Sequence, residues 1–231
     1  MAKKDKKNFL VLGLGYFGAE LAKQLYDLGA DVVAVDQDPL ICASLANDVT
    51  QAIEMNPADE EALRTLGISD YDACIIARGS NLEDSISIAA TLREEKAKKV
   101  IARAVSKKHG KILSKMDVDQ IIFPEIEIAD TVAEQLVSDL IYDKIVLKDN
   151  NARDGEDGED AYVIELFNTT GQVGKSLKDY INNMPKGTKL VAIHRKSSEG
   201  EIIITNFEGE AFQKDDLILV WGPNLRVKEL E

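Results

Sequence analysis

A chain of 231 residues with 28 Lys and Arg against 41 Asp and Glu has a formal net charge of −13. That argues against nucleic acid as a partner, because such binding rests on basic residues that neutralise phosphate. An apolar content of 45% is enough to bury a sizeable core, in one large domain or two of unequal size, and no apolar run approaches the roughly 18 residues needed to span a bilayer.

The N-terminal residues 1–7 are basic but lack the apolar stretch of a signal peptide, so a soluble, cytoplasmic protein is expected. An apolar run, residues 9–12, then leads into Gly13-Leu-Gly-Tyr-Phe-Gly18 and a helix-like segment. In that context the three glycines have separate roles. Gly13 turns the chain, Gly15 lets backbone approach a pyrophosphate, and Gly18 lets helix and strand pack closely. Tyr16 and Phe17 stand at the helix N-terminus, whose free N–H groups suit phosphate.

Residues 31–36, Asp-Val-Val-Ala-Val-Asp, read as the second strand, and Asp36 lies 23 residues beyond Gly13, where a carboxylate can accept hydrogen bonds from ribose hydroxyls. A 2′-phosphate about 4 Å from it would cost about 4 kcal/mol, so NAD(H) or an adenosine phosphate is preferred over NADP. Further strands are expected at residues 51–54, 73–77, 100–104 and 120–123, with helices between them marked by apolar spacings of three and four, as in Leu21, Leu25 and Leu28. This alternation predicts a doubly wound parallel α/β sheet of Rossmann type, with its ligand at the carboxyl ends of the strands.

That rule nominates Gln37 after the second strand, Asn56 after the third, Arg78, Gly79 and Asn81 after the fourth, and Arg103 at the end of the fifth. Either arginine could hold phosphate oxygens or could pair with a helix carboxylate. The Gly79-Ser80 pair is expected to cap the next helix. Cys42 and Cys74 fall in a helix and a buried strand and read as reduced core thiols, and His109 falls on a helix expected at the surface.

After Phe123-Pro-Glu125 a helix is expected over residues 129–140, with Ala133, Leu136, Val137, Leu140 and Ile141 as an apolar stripe. The stripe could cover the sheet edge or cross onto another subunit. Domain boundaries follow: a nucleotide-binding domain over residues 1–141, a connecting strand and acidic flexible loop over 142–160, and a small α+β domain over 161–231. The acidic stretch, residues 149–160, fails the calcium-loop pattern because Asp154 stands where glycine is required. In the last part strands are expected at 162–167, 189–194, 201–205 and 217–221, with a short helix after Gly174 that includes Leu177 and Ile181. Some 70 residues make a marginal core, so pairing with a second copy is expected.

The glycine fingerprint, the strand ending at Asp36, the Ala77-Arg-Gly-Ser-Asn81 turn, the Phe123-Pro-Glu125 junction and Gly174-Lys-Ser-Leu177 followed by Val191-Ala-Ile-His-Arg195 together resemble the RCK (KTN) regulatory proteins. The resemblance covers nearly the whole chain and is greatest to the soluble subunits of bacterial Trk and Ktr potassium uptake. It implies dimers, in many relatives an octameric ring, docked on the inner face of the membrane through a potassium-translocating subunit and changing shape with bound NAD(H), ADP or ATP. A ligand can do this only by preferring one shape. It also implies that Glu125 helps hold a cation at a subunit interface; a helix N-terminus would favour the same carboxylate without any metal. Where ATP-sensing relatives carry Arg after the second glycine this chain has Tyr16, which shifts weight to NAD(H) or ADP. Some relatives bind a cyclic dinucleotide in the C-terminal lobe; Ile203-Ile-Thr-Asn-Phe207 lacks the proline usual there, and that lobe's ligand stays unassigned. The readings from other classes are an NAD-dependent oxidoreductase, for which a proton-transfer group is needed, and a free-standing nucleotide sensor.

Overall fold

The computed structural model describes residues 6–79, 81–137, 141–147, 161–167, 173–197 and 200–223. The chain divides into two compact units, residues 1–125 and 126–231.

The first unit alternates strands and helices: β1 (Asn8–Leu12), α1 (Tyr16–Asp27), β2 (Asp31–Asp36), α2 (Pro39–Leu45), β3 (Gln51–Glu54), α3 (Glu60–Arg64), β4 (Ala73–Ile76), α4 (Leu82–Glu94), β5 (Val100–Arg103), α5 (Lys107–Ser114) and β6 (Gln120–Ile122). The six strands form one sheet in the order β3-β2-β1-β4-β5-β6, and every described pairing within it is parallel. Alternate residues of each strand feed separate cores. Leu10, Leu12, Cys74 and Ile76 pack with Ile88, Leu92 and Leu113, while Val11, Ala34 and Ile75 pack with Ala22, Cys42 and Leu45. Helices therefore cover both faces, which is why the strands read as nearly continuous apolar runs. The direction of the winding reverses between β1 and β4, so the switch point lies beside β1.

Local chemistry fixes the helix starts. Asp38, Asp59, Asn81 and Ser106 each accept a hydrogen bond from a first-turn N–H of α2, α3, α4 and α5. The α4 cap is thus Asn81 rather than the expected Gly79-Ser80 pair; Ser80 lies outside the described residues. Cys42 and Cys74 are buried and free, as expected, and burial pushes the Cys74 thiol up to about 12.

Helix α6 (Pro124–Val137) begins five residues before the expected start at 129. Proline fixes φ near the helical value and lacks an N–H, which suits a first helical position. Its described surface is apolar and exposed at Ile128, Val132, Leu136 and Val137. Of the expected stripe, Leu140 lies outside the described residues and Ile141 belongs to the next strand.

The second unit holds β7 (Ile141–Leu147), β8 (Ala161–Phe167), α7 (Leu177–Asn183), β9 (Lys189–Ser197), β10 (Gly200–Ile204) and β11 (Leu217–Pro223). These strands make an antiparallel sheet in the order β10-β9-β11-β8-β7. Its core gathers Leu177, Leu190, Ile193, Phe212, Ile218 and Val220, with the Tyr180 ring set edge-on to Phe212 at a centroid distance of 5.1 Å. The acidic stretch at 149–160 lies outside the described residues.

Candidate nucleotide site

Gly13 leaves β1 with φ +92°, a left-handed turn that side chains resist, and its N–H donates to Val35 O at 2.8 Å. Gly18, one turn into α1, lies so close to the strand that an added Cβ would come within 2.0 Å of Gly13 O and 2.9 Å of the Ala77 Cβ. Both glycines are therefore needed to bring α1 against the sheet. Gly15 differs: a Cβ there would meet nothing within 4 Å, so its backbone faces open space. The α1 N-terminus, for which Gly15 is the cap residue, has no side-chain cap, unlike α2 to α5. Open space and uncapped N–H groups at one turn suit a phosphate. Tyr16 projects into solvent, 91% exposed, and Phe17 packs against the α1 side of the core.

The Asp36 carboxylate ties the end of β2 to this turn. One oxygen accepts from Leu14 N–H at 2.6 Å and the other from Asp38 N–H at 3.0 Å. Each oxygen retains a lone pair, so ribose hydroxyls can still be accepted. Gln37 follows directly. Beyond β3, the Asn56 side-chain oxygen accepts from Ala58 N–H at 3.1 Å and stands 3.5 Å from Arg78.

The two arginines are not free. Arg78 Nε lies 2.8 Å from the Asp84 carboxylate of α4, with both side chains largely buried, and Asn81 also donates to Asp84 at 2.9 Å. Arg103 forks onto Glu125 through Nη2 and, at 3.4 Å, through Nε. Burial would raise the Glu125 carboxyl, but its hydrogen bonds from Arg103 and its own N–H, with the Arg103 charge, hold it below the ordinary range. A cation at Glu125 does not fit a single chain. The carboxylate is already paired, and no group of three or more His, Cys, Asp or Glu able to hold a metal occurs among the described residues.

The structure thus brings the glycine turn, Asp36, Asn56, Arg78, Gly79, Asn81 and Arg103 to the carboxyl ends of β1 to β5. Beside these lie Asp84, which pairs with Arg78, and Ser85, neither of them nominated from the sequence, and Ser85 meets the buried His109. Ser85 Oγ lies 3.0 Å from His109 Nε2, and both residues have no exposed surface, so on the helix expected at the surface His109 itself faces inward. The spacing of His109 to Leu113 on the apolar side of α5 carried that signal.

A doubly wound parallel sheet with an open glycine turn and an acidic strand end at its switch point defines a Rossmann-type domain, here joined to a small antiparallel one. The family model of the TrkA-N domain matches residues 9–124, and the chain belongs to that family. Ktr system potassium uptake protein C of Bacillus subtilis is 28% identical over 226 residues, 98% of this chain and 96% of its own. Ktr system potassium uptake protein A of Vibrio alginolyticus is 31% identical over 221 residues, 96% and 94% of the two chains. The crystal structure of the GsuK RCK domain superposes with a TM-score of 0.62 at 16% identity, covering 100% of this chain and 48% of that one. That likeness concerns the fold: the chain spans about half of the GsuK chain. No described helix is long and apolar enough to cross a membrane.

Proposed function

We propose that this chain is a nucleotide-binding regulatory subunit of a potassium-uptake system, one that associates with itself and controls ion flux through a membrane subunit at the inner face of the membrane. The observation that carries the reading is the open, uncapped turn at Gly15 beside Asp36, on a chain aligned almost end to end with two Ktr potassium uptake proteins. Gly13, Gly15, Tyr16, Phe17 and Gly18 take the phosphates, Asp36 and Gln37 the ribose, and Asn56, Arg78, Gly79, Asn81 and Arg103 line the remaining rim. Tyr16 offers no positive charge, so NAD(H) or ADP is favoured over ATP. The exposed apolar positions of α6 supply a self-association face. An interfacial cation at Glu125 would need ligands from a second copy.

An oxidoreductase would need a proton-transfer group in the crevice. His109 is sealed on the buried side of α5, against Ser85 of α4, and His194 belongs to β9 of the other unit, which weighs against that reading. Calorimetric titration with NAD, NADH, ADP and ATP, with mass followed by light scattering, tests the proposal. Unequal affinities in an assembled protein that co-purifies with a membrane potassium transporter would support it. A nucleotide-blind monomer, or sustained NADH turnover, would overturn it. Asp36→Ala is expected to weaken nucleotide binding about ten-fold or more while the protein stays folded, from the loss of hydrogen bonds to a charged acceptor; unchanged affinity would remove the ribose contact.

A further inference from the structure

The two rim arginines differ in how firmly their carboxylate partners are held. Asp84 is 20% exposed, accepts from Asn81 and is ion-paired with Arg78. Glu125 is 56% exposed and, beyond its own backbone, is held among the described residues by Arg103. The Arg103 guanidinium lies against Gly79, whose missing Cβ would stand 2.8 to 3.2 Å from three of its atoms, and this places it on the β4–α4 turn at the ligand rim. A guanidinium fork grips a carboxylate and a phosphate through the same parallel N–H pair, so at the Nε–Nη2 edge that Glu125 occupies one anion excludes the other.

We infer that Glu125 competes with the ligand's phosphate for Arg103, so that the free protein carries its own anion there and a phosphorylated ligand must displace it. This rests on the nucleotide-binding reading above and adds a regulatory step to it. Glu125 suits the role because it can swing into water at low cost and remain favoured by the α6 N-terminus once released. Asp84 is too enclosed to do so. Because Glu125 is the second residue of α6, the exchange changes what holds the first turn of the helix that leads into residues 126–231.

The test is calorimetry in metal-free buffer with ADP and with adenosine, on the full chain and on Glu125→Gln, Arg103→Gln and the double variant, each checked for folding by thermal melting. Glu125→Gln should bind ADP roughly two- to five-fold more tightly, the range of an exposed ion pair, with adenosine unchanged. The gain should vanish in the Arg103→Gln background, and Arg103→Lys provides a second background that keeps the charge without the fork. If ADP binds the parent chain but Glu125→Gln leaves its affinity unchanged or weaker, the competition is overturned. A gain that persists without Arg103 would overturn it too, since it would reflect the general field of the carboxylate. A parent chain that binds neither ADP nor adenosine would overturn this inference, and one that also ignores NAD and NADH would overturn the nucleotide reading itself.

Discussion

His109, on a helix expected at the surface, is wholly buried. Val105 N–H approaches Nδ1 at 3.4 Å, so Nε2 carries the proton and donates to Ser85 Oγ, whose own O–H donates to the Asn81 or Leu82 carbonyl. This neutral chain ties α5 to the first turn of α4, next to the ligand rim. Burial depresses the imidazole below its ordinary value of 6.5, so the unfolded chain binds the extra proton first. Its contribution is complete above pH 6.5 and is lost as pH falls from there through the lower folded value. Melting temperature measured from about pH 7.5 to about 5.5 should fall more steeply for the parent chain than for His109→Gln; equal slopes would remove this linkage. By contrast, Asp36 was legible in the sequence, because a strand end and a fixed distance from the glycines define it.

At the scale of elements, local signals placed all six strands of the first unit to within a residue or two. Strand period and the flanking turn residues are local properties. The start of α6 was misplaced because the run Pro124-Glu-Ile-Glu-Ile alternates like a strand while Pro124 is set for a helix. Register across the second sheet was not legible at all. Leu217 pairs with His194, which brings Asp216 beside Arg195, two side chains separated by 21 residues. Arg195 forks onto Asp216 at 2.8 and 3.0 Å and also reaches Glu210 and the Ala211 carbonyl, all but closed to water. Removing one partner of a buried pair strands the other charge. Arg195→Ala should therefore cost about 3 kcal/mol in the second unit. Hydrogen exchange would show it as lost protection in β9 and β11 with β1 to β6 unchanged; protection lost equally in both units would contradict this placement.

At the scale of the whole molecule, Ile128, Val132 and Leu136 stand four residues apart on α6, and Leu136 is 80% exposed. Residues at that spacing lie on one helix face. If that face meets a second copy, Leu136→Asp should lower the mass seen by light scattering toward the monomer at micromolar concentration, because a buried unpaired carboxylate costs several kcal/mol; an unchanged mass would place self-association elsewhere. The sequence by itself determined the sheet-and-helix order of the first unit, the glycine turn and its acidic partner, since these rest on periodicity and on spacing within about thirty residues. Only the tertiary structure decided which anion each arginine holds, that His109 is sealed against Ser85, and that Arg195 locks the second sheet. Those contacts join residues that strand order and register bring together, and no local pattern records which distant neighbour a side chain will meet.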